Sequence, residues 1–126
     1  MFSGTSCQVA AVKSFANEHG GYQGQLLTVE ILCFGVPSPK IFQEHIRFIE
    51  DKYSEVVEYS FRDERNGWGN VDIHSARLKN GMELYNDHYL QAYASLFAKR
   101  LTFRENCFNC KFSGQQRNAD ITIRDC

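Results

Sequence analysis

Residues 26–33 read LLTVEILC, an almost continuous run of apolar and β-branched side chains. Runs of this composition are typical of a strand that is covered on both faces, as the strands of parallel sheets are. A glycine-rich segment over residues 20–24 separates the run from a helical pattern over Ser6 to Glu18, which follows a strand-like segment over Met1 to Gly4. The order of these segments predicts a βαβ unit in which the two strands are neighbouring and parallel.

The next part of the chain has the pattern of a helix, a hairpin and a further helix. Ser38 is expected to cap a helix that begins at Pro39, because proline is favoured at the first helical position. Residues 56–62 and 71–78 alternate apolar and polar side chains around an Asn-Gly turn dipeptide, which predicts a β-hairpin. Apolar residues then recur at helical spacing over residues 89–101.

A cysteine-containing loop and a last strand over Ala119 to Ile123 follow this helix. The expected fold class is therefore α/β (mixed α+β), with a βαβ unit of parallel strands followed by a β-hairpin, a helix and a cysteine loop. A length of 126 residues fits one domain with one core, so the domain is predicted to span residues 1–126.

Composition narrows the classes of function. Apolar residues make up 43% of the chain and charged residues 23%, with a formal net charge of -1. This balance provides no basic stripe for a nucleic acid and no polybasic patch for a membrane surface, so neither partner is expected. The chain has no signal-peptide pattern and no apolar run of about 20 residues, and we expect a cytoplasmic protein.

Cysteine is the informative residue type, because reducing compartments do not maintain structural disulfides and five cysteines are many for a chain of this size. Cys107 and Cys110 have the two-residue spacing that lets two thiolates of one turn reach the same metal. Cys7 and Cys33 each follow a predicted parallel strand, and the carboxyl ends of such strands meet at one edge of a sheet. Four thiolates satisfy a 4Fe-4S cluster and equally satisfy tetrahedral zinc, and the spacing leaves both open.

Five short motifs occur in an order that matches a known family. They are SGTSCQ at residues 3–8, CFGVPSP at 33–39, FRD with NGW at 61–68, RENCFNC at 104–110 and ADITI at 119–123. Together they resemble the carboxy-terminal domain of the coenzyme F420 hydrogenase/dehydrogenase beta-subunit family. The resemblance covers essentially the whole chain.

The resemblance implies an oxidoreductase that contains FAD and a 4Fe-4S cluster. Electrons would pass between the cluster and FAD and on to an organic acceptor, which is the deazaflavin coenzyme F420 in archaeal relatives. Relatives also imply a redox partner or a ferredoxin-like domain. The match to the family's cysteine positions favours iron–sulfur over zinc and makes Cys7, Cys33, Cys107 and Cys110 the expected metal ligands. Because the family's amino-terminal part is absent, the chain is expected to be a fragment.

Two segments beside the cysteines are candidates for binding a cofactor. Thr5 and Gln8 flank Cys7, where they are equally suited to ordinary helix-start bonds. Gly35, Val36 and Ser38 precede a helix, whose amide donors suit a flavin phosphate or the sulfurs of a cluster. The sequence defines no catalytic acid, base or nucleophile.

Two other functions compete with the redox enzyme. The first is a zinc-stapled structural or interaction domain that uses the same thiols. The second is a truncated remnant that folds without activity.

Overall fold

The βαβ unit is formed by β1 (Phe2–Thr5), α1 (Ser6–Glu18) and β2 (Thr28–Ile31). The two strands pair in parallel, with Phe2 opposite Thr28 and Thr5 opposite Ile31. The predicted βαβ topology is confirmed, and α1 packs against both strands.

This is a computed structural model that describes residues 1–20, 26–67, 73–114 and 117–124. The chain divides into two compact units. The first unit joins residues 1–36 to the segment that starts at Glu105, and the second unit is Pro37–Arg104. That the two units act as one domain stays a prediction.

The first unit contains a three-stranded parallel sheet in the order β1-β2-β6, where β6 is Ile121–Ile123. The central strand β2 pairs in parallel with β1 and with β6. In the pairing with β6, Val29 lies opposite Ile121 and Ile31 opposite Ile123. The short helix α4 (Glu105–Phe108) lies within the segment that was expected to be a loop.

The predicted strand over residues 26–33 is wrong in its extent and in its burial. The strand ends at Ile31, and the chain has left the sheet before Cys33. Thr28 and Glu30 are fully buried, whereas Leu27, Ile31 and Leu32 are 43–48% exposed. Alternate side chains of a strand point to opposite faces, so the polar positions of this run occupy the covered face and the apolar ones do not.

The second unit contains a three-stranded antiparallel sheet in the order β3-β4-β5. Its strands are β3 (Val56–Ser60), β4 (Ser75–Leu78) and β5 (Glu83–Tyr85). The predicted hairpin is confirmed in β3 and β4, which are shorter than the runs 56–62 and 71–78. Residues 68–72, including Trp68 and the first two residues of the second run, lie outside the described part of the chain.

The helices of this unit are α2 (Pro39–Lys52) and α3 (His88–Ala98). Ser38 is the N-cap of α2, with Pro39 at its first position as expected. The carboxylate of Asp87 caps α3 by accepting a hydrogen bond from the backbone amide of Tyr89 at 2.9 Å. Among the described residues, no helix has both the length and the apolar character needed to cross a bilayer.

The two helices and the antiparallel sheet share a buried core. Its members are apolar, and they are Ile49, Ala76, Leu78, Leu84 and Leu90. An aromatic cluster lies in the same unit and consists of Phe42, His45, Tyr59, Phe61, His74 and Tyr93, with ring centroids 4.9–6.3 Å apart. His45 is half-buried within this cluster.

Two leucines of α3 give a matched test of the core. Leu90 is fully buried, whereas Leu96 is 41% exposed. We expect Leu90→Ala to lower the free energy of unfolding by about 2–5 kcal/mol, because it leaves a cavity in addition to losing buried area. Leu96→Ala should cost about 1 kcal/mol or less. Urea denaturation followed by circular dichroism measures both, and equal losses would contradict the assignment of the core.

A second test uses acid. Burial lowers the pKa of His45, so the folded protein binds fewer protons at this ring than the unfolded chain does. The neutral ring therefore contributes to the free energy of unfolding in full above the pKa of the unfolded chain, about 6.5, and this contribution is lost as pH falls below that value. We therefore expect the free energy of unfolding to fall between about pH 7 and pH 5 by more in the wild type than in His45→Phe.

The control for this experiment is His88→Gln, because His88 is an exposed residue at the start of α3. This variant should keep the acid dependence of the wild type. If the free energy of unfolding falls with pH equally in His45→Phe and in the wild type, His45 is not the cause of the acid dependence.

Candidate cysteine site

The first two cysteines occupy equivalent places at the end of adjacent strands. Cys7 stands two residues past Thr5, and Cys33 stands two residues past Ile31, which is the partner of Thr5 in the sheet. Both thiols are exposed. The parallel pairing of β1 and β2 thus brings both cysteines to one edge of the sheet, as the sequence predicted.

The other two cysteines lie in and just after α4. Cys107 is in the helix and Cys110 follows it, and both are half-buried free thiols. The carbonyl oxygen of Cys110 accepts hydrogen bonds from the backbone amide of Ser113 at 3.3 Å and from its hydroxyl at 2.8 Å. These bonds close a turn directly after the second thiol.

Electrostatics links Cys33 to the other three thiols. Although Cys33 is exposed as a residue, partial desolvation of its sulfur is the main cause that raises the pKa of this thiol, and negative charge on Cys107, Cys7 and Cys110 raises it further. The backbone amide of Gly35 acts in the opposite direction, because it donates a hydrogen bond to Cys33. All four cysteines belong to the first unit.

In the described structure, the four cysteines are not arranged as a preassembled metal site. In residues 1–20, 26–67, 73–114 and 117–124, no three His, Cys, Asp or Glu side chains are arranged to hold one metal ion. Like-charged thiolates repel each other, and a bound cation supplies the charge that holds them deprotonated and close together. Four free thiols in one unit are a donor set that fits a thiolate-bound metal.

Thr5 and Gln8 hold the start of the helix that carries Cys7. The Gln8 side-chain oxygen accepts hydrogen bonds from the Thr5 backbone amide at 2.9 Å and from the Thr5 hydroxyl at 3.1 Å. The Thr5 hydroxyl is also 3.2 Å from the Cys7 sulfur. A Cβ atom on Gly4 would stand 2.8 Å from the Gln8 oxygen, so a larger residue at position 4 would displace this side chain from Thr5. The contacts are those of a helix start, and binding of a cofactor by Thr5 and Gln8 stays a prediction.

Gly35, Val36 and Ser38 are divided between the two units. Gly35 and Val36 belong to the first unit, where Gly35 contacts Cys33, and Ser38 belongs to the second, which begins at Pro37. The backbone amide of Ser38 donates to the carbonyl oxygen of Thr102 at 2.7 Å. Of the three, only Gly35 has a described contact with a cysteine, and their role in holding a flavin phosphate remains untested.

A buried carboxylate in the first unit was missed by the sequence analysis. Glu30 is fully buried on the central strand, where one carboxylate oxygen accepts a hydrogen bond from the Thr122 hydroxyl at 2.9 Å. The Arg117 guanidinium lies 3.8 Å from the same oxygen, and the other oxygen has no hydrogen-bond partner in the described structure. An acidic residue inside the apolar run at 26–33 was the available signal.

Contacts from the sheet and α1 also fix the chain that follows the cysteine turn. The Lys13 ammonium donates to the carbonyl oxygen of Asn118 at 2.6 Å. Asp120 accepts hydrogen bonds from the backbone amide and hydroxyl of Thr28, each at 2.7 Å, and these bonds lower the pKa of Asp120. Together with the contact of Arg117 to Glu30, they attach the segment before β6 to the buried face of the sheet.

A separate charged cavity of about 560 Å³ lies in the second unit. Arg65 bridges Asp63 at 2.7 Å and Glu83 at 2.6 Å, and its guanidinium lies over the Tyr85 ring. The pKa of Asp63 is held well below its usual range, first by its hydrogen bond with Arg65 and then by Ser75. Asp63, Arg65 and Glu83 therefore form a cluster of mutually paired charges.

Comparison with known proteins bears on the whole chain. The family model for the C terminus of the coenzyme F420 hydrogenase/dehydrogenase beta subunit matches residues 1–126. Neither the curated proteins nor the solved structures give a significant match. The match confirms the resemblance drawn from the five sequence motifs. The chain therefore belongs to the coenzyme F420 hydrogenase/dehydrogenase beta-subunit family, as its carboxy-terminal region.

Proposed function

We propose that this chain is part of an oxidoreductase in which Cys7, Cys33, Cys107 and Cys110 hold a 4Fe-4S cluster. Electrons would pass between that cluster and FAD and then to an organic acceptor. The observation that carries the proposal is the parallel pairing of β1 and β2, which places Cys7 and Cys33 at one end of a sheet in the unit that also contains Cys107 and Cys110. Membership of the family supports the oxidoreductase class.

The described residues around the thiols have the chemistry that such a cluster needs. Hydrogen bonds to ligand sulfurs tune the reduction potential of an iron–sulfur centre. The Gly35 amide is a donor to Cys33, and the Thr5 hydroxyl lies beside Cys7. In this proposal, the contacts made in the protein alone become the hydrogen bonds around the cluster.

The proposed reaction also needs FAD, an electron donor and an organic acceptor. FAD, when bound, provides the exchange of one electron at a time for a hydride. A redox partner or a ferredoxin-like domain would supply electrons, and exposure of Cys7 and Cys33 supports access from one side. Coenzyme F420 is the acceptor that the family's name suggests.

The main alternative is a zinc site in a structural or interaction domain. Four thiolates around one zinc ion at about 2.3 Å lie closer together than four thiolates around a cluster. The two metals also differ in chemistry, because zinc is colourless and has no redox activity. Metal analysis therefore separates the two functions directly.

The ligand set is tested by replacing each of the four cysteines with serine. After anaerobic reconstitution with iron and sulfide, the wild type should hold about four irons, and each variant should lose most of its iron and its visible absorbance. Cys126→Ser is the matched control, and that residue lies outside the described structure. Equal iron in the wild type and in all four variants would remove these residues as ligands.

The identity of the metal is tested on protein purified anaerobically without added metal. We expect iron and acid-labile sulfide in about equal amounts, with absorbance that bleaches on reduction by dithionite. Colourless protein with about one zinc per chain, lost in the same four serine variants, would establish the zinc alternative instead.

A further inference from the structure

The aromatic cluster of the second unit contains a hydroxyl held between two imidazoles. The Tyr59 hydroxyl oxygen lies 2.7 Å from Nδ1 of His74 and 3.3 Å from Nε2 of His45. The three residues come from β3, the residue before β4, and α2, so the contacts join separate parts of the unit. A hydroxyl can donate one hydrogen bond and accept another, which lets Tyr59 serve both rings together.

The surroundings of this chain of three groups are aromatic. His45 stacks on Tyr93 at a centroid distance of 4.9 Å, and Tyr59 meets the edge of Phe42 at 5.2 Å. Burial raises the pKa of Tyr59 and of Tyr93, and it lowers the pKa of His45. Each shift favours the neutral form, as expected where solvation is poor.

Two charged side chains that neighbour Tyr59 in the hairpin pair with each other. Glu58 and Arg77 form an ion pair, and they alternate in sequence with Tyr59 and Ala76. Since successive residues of a strand point to opposite faces, this pair lies on the other face of the sheet from Tyr59. Among the described residues, the titratable groups in contact with Tyr59 are His45 from α2, His74 from the residue before β4 and Tyr93 from α3.

We propose that His45, Tyr59 and His74 form a proton relay. In one tautomer, Nε2–H of His45 donates to Tyr59, and the Tyr59 hydroxyl donates to Nδ1 of His74. A proton that arrives at Nδ1 of His45 moves the Nε2 proton to Tyr59, the Tyr59 proton to His74 and the Nε2 proton of His74 to the next acceptor. Each group gains one proton and gives one, no electron moves, and the chain is left in its mirror tautomer.

Proton transfer along the three residues does not depend on the cysteines, whereas delivery of the proton to an acceptor depends on the redox reaction proposed for them. An organic acceptor that receives a hydride commonly takes up a proton in the same reduction, and a neutral chain delivers one without burying a net charge. Delivery to such an acceptor rests on the proposed function, whereas proton transfer along the three residues does not. Loss of metal in the cysteine variants would therefore leave the relay intact.

The relay is tested by nitrogen NMR of the imidazoles over a range of pH, on the full chain. Groups that share a proton titrate as a pair, so His45 and His74 should show the same two macroscopic steps. Tyr59→Phe keeps the ring but removes the hydroxyl, and each histidine should then show its own single step. Tyr93→Phe is the matched control and should leave the paired titration unchanged.

Independent single steps for His45 and His74 in the wild type would overturn the relay, as would a paired titration that survives in Tyr59→Phe. If Tyr59→Phe does not fold, His45→Gln gives the same information from the other end. In that variant the His74 nitrogens should lose the second step, and a retained second step would refute the proposal. His88 serves as an internal reference in every spectrum.

Discussion

Parallel pairing of β1 with β2 is the constraint on which the first unit depends. Each strand contributes a cysteine two residues after the matched pair Thr5 and Ile31, so the register of the sheet sets the positions of both thiols. A shift of one residue in this pairing would also exchange the faces of β2 and expose the Glu30 carboxylate. The hydrogen bonds between the strands therefore determine both the positions of Cys7 and Cys33 and the burial of the Glu30 carboxylate.

Much of the fold could be predicted because it depends on local patterns. Proline after a serine marked the start of α2, and a helical pattern between two strand-like segments gave the βαβ unit. The extent of β2 could not be predicted in this way. The buried positions of its run are Thr28 and Glu30, whose partners Asp120 and Thr122 lie 92 residues later in the chain.

The two candidate sites also differ in how far the sequence predicts them. The cysteines were recognised because their residue type is rare and their spacing is characteristic, and the structure adds the parallel pairing that places Cys7 and Cys33 at one end of the sheet. His45 and His74 carried no such signal, since neither has a partner at a characteristic spacing. Only the packing of α2 against the hairpin places both rings on one tyrosine hydroxyl.

The attachment of the segment before β6 also affects the entropy of closing the cysteine site. Arg117 and Asn118 are held by Glu30 and Lys13, so the chain that leaves Cys110 must return to a fixed point over a short connection. The entropy lost when a chain segment is closed grows with its length, and a short segment loses little. Because each doubling of the length costs only about 0.6 kcal/mol, a one-residue insertion in this connection would add little to the entropy of closing the site.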